Sequence, residues 1–218
     1  MRDELIVESP SNNKTVGEKW KGRVKGHWYD AACEFAVDHL GGGTGECLVI
    51  GSPLFEVGVI EMLGYEVTYV DVRDPPTKVP RFLKVDATHL LSPDNSFDAV
   101  SSTCVLCHAG LGRYGDKVNL EHGDEKMLSE IERVLKPGGK VSLMFGPVAD
   151  IPKPLRHGTE HRIYTIHEVI RMISTTGLKR GKIRIWNTEK SDWRPPLEFP
   201  TQNTERPDYI CVALTNKK

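Results

Sequence analysis

Hydrophobic positions along the chain fall into two rhythms. Leu48, Val49 and Ile50 form an unbroken apolar run, the pattern of a strand buried on both faces. Residues 55–63 follow with a helical pattern, Gly64 closes that helix, and residues 67–70 return to β-branched and aromatic side chains. Gly51, between strand and helix, lets the backbone turn tightly and approach a ligand. Upstream, Ala32, Phe35, Ala36 and Leu40 fall on one stripe and predict a helix over residues 28–40. Downstream, short strands are predicted at 82–85 and 97–101. Met127, Leu128, Ile131, Val134 and Leu135 mark a helix over 123–135, ended by Lys136-Pro137-Gly138-Gly139. A fifth strand follows at 141–145. Thr165 and Glu168 form a capping box that opens a helix running to about residue 175. Strands at 178–186 and 208–214, joined by a Pro-rich loop at 193–207, close the chain. This order predicts an α/β fold: a Rossmann-like, open, mostly parallel seven-stranded sheet with an antiparallel C-terminal hairpin.

Residues 1–27 are polar and locally basic and read as an extension or lid, and residues 28–218 as a single domain. The 218 residues suffice for one sizeable core. A net charge of −1 gives no global attraction to nucleic acid or to an anionic membrane, so neither is expected as a partner. No apolar run approaches the length of a transmembrane helix, and the first residues lack the apolar core of a signal peptide. Five cysteines, an odd number scattered through predicted elements, fit reduced thiols and a cytoplasmic location.

Asp71 stands at the tip of the second strand, about twenty positions beyond Gly51. That is where a Rossmann-type site grips ribose hydroxyls. The turn itself, Gly51-Ser52-Pro53-Leu54-Phe55-Glu56, holds one glycine, and Pro53 removes a backbone donor. No nest of amides for a pyrophosphate is visible, which argues against NAD and FAD. An adenosine-containing cofactor without phosphates fits better.

Several segments together resemble the class I S-adenosylmethionine-dependent methyltransferases over roughly residues 28–214. They are VTYVDV ending at Asp71 and Val72, VDATHL with Asp86, SFDAV with Asp98, and RVLKPGGKVSL from Arg133 to Leu143. The resemblance implies S-adenosyl-L-methionine as cofactor. It implies that Asp71 accepts from the ribose hydroxyls, that Asp86 holds the adenine amino group, and that Ala87 offers its amide to the ring. Gly51 would pass beneath the methionine part, with Ser52, Val72 and Thr103 as further cofactor contacts. Val49 stands where the family carries an acidic residue and Pro53 where it carries a second glycine, so another group must hold the methionine ammonium. The run GLGRYGD ending at Asp116, with HRIY at His161 to Tyr164, is similar to a branch of this superfamily once described as a domain of unknown function. That likeness implies a sugar-like acceptor.

In open α/β sheets the ligand crevice lies beyond the carboxyl ends of the strands. The segment after the fourth strand, Thr103 to His108, should therefore line the site. His108 is the candidate general base, since imidazole titrates near neutrality. Arg113, Tyr114 and Asp116, in a Gly-rich loop, are candidates to orient an acceptor. His157, His161 and Arg162 follow the fifth strand at the same edge, where an Arg–His pair suits an anionic group. The catalytic set is His108, Arg113, Tyr114 and His161. Cys104-x-x-Cys107-His108 spells a haem-attachment sequence, but at a buried strand end neither haem nor zinc is expected. Asp74-Pro75-Pro76 follows the second strand and reads as a turn rather than a nucleic-acid methyltransferase motif. The expected activity is O-methylation of a small-molecule or sugar-like acceptor, and the alternative is a cofactor-binding protein of the same fold without transferase activity.

Overall fold

The computed structural model describes residues 28–116, 118, 122–149, 161–194 and 208–217. The expected lid over residues 1–27, His157 and most of the Pro-rich loop lie outside the described residues. Helix α1 (Trp28–Leu40) leads to β1 (Gly45–Ile50), α2 (Leu54–Met62) and β2 (Tyr65–Asp71). Strands β3 (Phe82–Lys84) and β4 (Phe97–Thr103) follow, then α3 (Gly123–Val134) and β5 (Leu135–Val148). Helix α4 (Ile166–Ser174), β6 (Leu178–Asn187), β7 (Asp192–Trp193) and β8 (Asp208–Asn216) complete the chain.

Among the described residues one sheet holds every strand, in the order β3-β2-β1-β4-β5-β8-β6-β7. Strands β1 to β5 pair in parallel, and β8 inserts antiparallel between β5 and β6. The reversal of strand order beside β1 is the switch point at which such sheets open a crevice. The sheet has eight strands where the sequence pattern gave seven. The additional one, β7, is two residues long, too short to show periodicity, and pairs Trp186 with Trp193.

The two faces of β1 separate the core. Leu48 and Ile50 pack with Met127, Leu128 and Ile131 of α3, whereas Cys47 and Val49 pack with Val57 and Ile60 of α2 and Leu40 of α1. This double burial explains the unbroken apolar run. The Pro-Gly-Gly segment behaves differently from the expected turn between helix and strand. Leu135 already pairs with Phe97, the register then shifts, and Lys140 pairs with Ala99. Gly138, at φ 73°, supplies the left-handed residue of this irregularity. The capping box at α4 is present: Thr165 Oγ1 accepts from Glu168 N at 3.2 Å and Glu168 Oε2 accepts from Thr165 N at 2.7 Å. Among the described residues no helix is long and apolar enough to cross a membrane.

Candidate functional site

A cavity of about 370 Å³ opens at the carboxyl edge of β1, β2, β4 and β5. Its wall on the β2 and β3 side is built from Asp71, Val72, Val85, Asp86 and Ala87. Gly51 and Thr103 form its centre, at the ends of β1 and β4. The opposite wall contains His108, Arg113 and Tyr114 from the segment after β4 and His161 from the segment after β5. Eleven of the candidate residues, from Gly51 to His161 and including Asp116, therefore share one space; Ser52 does not line it.

Gly51 has φ 56°, and a Cβ there would meet Val105 Cγ2 at 2.9 Å. The turn thus needs glycine both for its left-handed backbone and for close approach to the segment after β4. Ser52 lies beneath the cavity rather than in it. Its Oγ donates to Ile50 O at 3.1 Å and accepts from Thr103 N at 2.8 Å, tying the ends of β1 and β4 together.

Both carboxylates at the β2 and β3 tips are organised. Asp71 accepts from Arg73 N and Nε at 2.9 and 3.1 Å on Oδ1, and from Arg73 Nη2 and the Tyr69 hydroxyl at 3.0 and 3.1 Å on Oδ2. Burial works to raise the Asp71 pKa, but the hydrogen bonds from Arg73 and Tyr69 outweigh it and hold the carboxyl below its ordinary value. Asp86 Oδ1 accepts from Thr88 N and Oγ1, both at 2.8 Å, which fixes the turn after β3.

On the opposite wall the His108 ring meets Tyr114 edge-on at 5.3 Å and His161 at 6.0 Å between centroids. The Arg73 guanidinium lies 4.3 Å from the Tyr114 centroid and so links the two walls. His108 also shares a hydrogen bond with the buried Cys107. Burial alone would raise the Cys107 pKa; the hydrogen bonds from Cys104 and His108 and the charge of the two histidines draw it down instead, while Cys104 is pushed up by burial. All five cysteines are free and buried. Among the described residues no group of three or more His, Cys, Asp or Glu is arranged to hold a metal. The Asp116 carboxylate accepts from Gly112 N at 3.2 Å and Tyr114 N at 3.3 Å, bracing the Gly-rich loop from within.

Arg162 does not serve as the expected anion ligand. It is buried, its N donates to Cys107 O at 2.8 Å, and its Nη1 donates to Ala109 O at 2.6 Å. Its Nε sits 3.3 Å from Asp124 Oδ2. The guanidinium thus pins the segment that carries His108, because carbonyls left at a buried turn need donors. Asp98 likewise belongs to the far end of the sheet, where Lys136 Nζ and Glu46 N reach its Oδ2 at 2.8 and 2.9 Å.

One buried group escaped sequence reasoning. Glu56, on α2, is 1% exposed and accepts from Ser101 Oγ at 2.5 Å, while its Oε2 has no hydrogen-bond partner. Burial raises its pKa, against the hydrogen bond from Ser101. An acidic residue beside Val57, Val59 and Ile60, on the buried face of a helix whose other acid, Glu61, is exposed, was the available signal. Trp28, Tyr29 and Tyr209 also line the cavity and were read only as helix and strand residues.

The donor set fits the cofactor implied by the fold: carboxylates stand at the two strand tips, and a glycine turn passes beneath with no pyrophosphate nest. Residues 39–143 match the family model described as a methyltransferase domain. A search of curated proteins finds no match. Among solved structures, the chain is similar to 1,6-didemethyltoxoflavin-N1-methyltransferase from Burkholderia thailandensis, which was solved with 1,6-didemethyltoxoflavin and S-adenosylhomocysteine. The identity is 17% and the TM-score 0.65, covering 92% of this chain and 82% of that one. A putative methyltransferase of Haloferax volcanii, in complex with the Trm112 activator, matches at 16% identity and TM-score 0.60, covering 92% and 94%. The cyclase SpnF matches at 17% identity and TM-score 0.58, covering 87% and 79%. The chain has the fold of the S-adenosylmethionine-dependent methyltransferases, and the matched domain, which spans the strands that build the crevice, points to S-adenosylmethionine as its cofactor.

Proposed function

We propose that this chain transfers the methyl group of S-adenosylmethionine to a hydroxyl oxygen of a small-molecule or sugar-like acceptor. The observation that carries this reading is the single cavity that faces Asp71 and Asp86 on one wall and His108, Arg113, Tyr114 and His161 on the other. In this reading Asp71 and Asp86 hold the ribose and the adenine, Ala87 and Val72 flank them, and Gly51 and Thr103 border the methionine part. Ser52 supports that part from below through Thr103 N. When bound, the cofactor supplies an electrophilic methyl on a sulfonium. His108 takes the acceptor's proton when its imidazole is neutral and Cys107 is the thiol beside it. Arg113, Tyr114 and His161 orient the acceptor, and the enclosing rings exclude water. The acceptor oxygen forms the new bond to carbon, the methyl–sulfur electron pair stays with sulfur, and the proton passes to His108. Methyl transfer is measured with isotope-labelled S-adenosylmethionine and a panel of hydroxylated acceptors. His108→Ala is expected to cut turnover by about 10²–10⁴-fold with cofactor affinity nearly unchanged; full turnover in that variant would reject the base assignment.

A second reading is a protein of this fold that binds the cofactor without transferring its methyl. Arg73 already engages both oxygens of Asp71, which favours it. The similar SpnF is described as a cyclase, so the fold also carries other chemistry. The two readings part in the same assay, where the second gives S-adenosylhomocysteine binding and no labelled product.

A further inference from the structure

The acceptor end of the cavity is a convergence of rings. Trp28 and Tyr29 reach it from the start of α1, His108 and Tyr114 from the segment after β4, His161 from the segment after β5, and Tyr209 from the start of β8. These rings form two clusters of mutual contacts. Trp28 stacks on Tyr209 with centroids 4.6 Å apart and planes 10° apart, and Tyr29 lies 3.5 Å from Trp28 in the same cluster. His108 meets Tyr114 and His161 edge-on in the other cluster. Tyr29 also meets Phe55 of α2 edge-on, with centroids 5.9 Å apart.

From this arrangement we propose that the acceptor is a planar aromatic phenol, not a sugar. The inference rests on the methyltransferase reading above and refines the substrate of that site. Three features favour a phenol. The clusters offer π surface, which suits a flat ring by stacking and edge contacts. Among the described residues the lining contains no Asn, Gln, Glu or Lys, and Asp116 spends its carboxylate on Gly112 N and Tyr114 N. With Asp71 and Asp86 assigned to the cofactor and Asp116 engaged within its loop, a sugar entering this space would give up water at several hydroxyls with few carboxylates or amides to replace it, an unfavourable exchange. The third feature is base strength. A phenol ionises near pH 10, as tyrosine does, within practical reach of an imidazole. An alkyl hydroxyl resembles water, whose pKa is about 15.7.

The test uses the full chain saturated with S-adenosylhomocysteine and follows tryptophan fluorescence and heat. The probes are 2-naphthol and 7-hydroxycoumarin, against cyclohexanol and methyl glucoside. Saturable binding of the planar phenols, at least about tenfold tighter than either control, is expected. Tyr209→Leu should weaken phenol binding about tenfold and leave S-adenosylhomocysteine binding unchanged, while Tyr209→Phe, which keeps the ring, should retain it. Equal or tighter binding of methyl glucoside overturns the inference, as does absence of phenol binding in a protein that binds S-adenosylhomocysteine. Failure to bind S-adenosylhomocysteine at all would instead count against the methyltransferase reading.

Discussion

Arg73 grips Asp71 with both arms of its guanidinium, Nε to Oδ1 at 3.1 Å and Nη2 to Oδ2 at 3.0 Å. The carboxylate assigned to the ribose is thereby held charged and aimed, but its oxygens are shared with a side chain that is half exposed. Ribose hydroxyls must compete with that guanidinium. A pair exposed on one side contributes only about 0–1 kcal/mol, so the competition is mild. Arg73→Ala is expected to tighten S-adenosylhomocysteine binding by up to about fivefold in calorimetric titration. A large loss of affinity would mean that Arg73 itself contacts the cofactor.

Gly51→Ala should destabilise the protein through two independent causes. An alanine at φ 56° costs of the order of 1–2 kcal/mol of backbone strain, and its Cβ would meet Val105 at 2.9 Å. Val105→Ala in the same chain should recover only the steric part. Urea denaturation of the single and double variants reads this directly; full recovery would show that the left-handed backbone carries no cost.

Glu56 makes a prediction about pH. Its folded pKa is raised above the ordinary value of 4.5, so the stability it contributes is complete below that value. That contribution is lost as pH rises through the higher folded value. Glu56→Gln mimics the protonated form and removes the dependence. The melting temperature of the variant relative to the native chain should therefore climb as pH rises from 4.5 towards neutrality. A difference that stays constant over that range contradicts the burial argument.

Arg162→Ala tests whether that residue is structural. Removing it leaves Asp124 buried without its guanidinium and Ala109 O without a donor. A loss of about 3–5 kcal/mol of stability is expected. The paired variant Arg162→Ala with Asp124→Ala should recover part of it. An unchanged denaturation midpoint would return Arg162 to the list of acceptor ligands.

The parts legible in the sequence were those fixed by local pattern. The apolar run at Leu48 to Ile50, the stripe from Ala32 to Leu40 and the Thr165–Glu168 box each specify an element without reference to the rest of the chain. The placement of Asp71 and Asp86 on the crevice was legible because the carboxyl ends of the parallel strands share one edge. What escaped depends on contacts distant in sequence. Arg162 looks like a ligand until Leu106 to Ala109, over fifty residues earlier, fold beneath it. Trp28 and Tyr209 belong to opposite ends of the chain and meet only because β8 inserts beside β5. Glu56 was hidden by its helix, since propensity does not report whether a carboxylate points to water.

The central claim is that the crevice between Asp71 and His108 takes S-adenosylmethionine. The most direct measurement is calorimetric titration of the full chain with S-adenosylhomocysteine and, separately, with NAD. One equivalent of S-adenosylhomocysteine is expected to bind, weakened by about 1–3 kcal/mol in Asp71→Ala through the lost hydrogen bonds to a charged group, with no comparable response to NAD. Tight NAD binding with no response to S-adenosylhomocysteine would contradict the account.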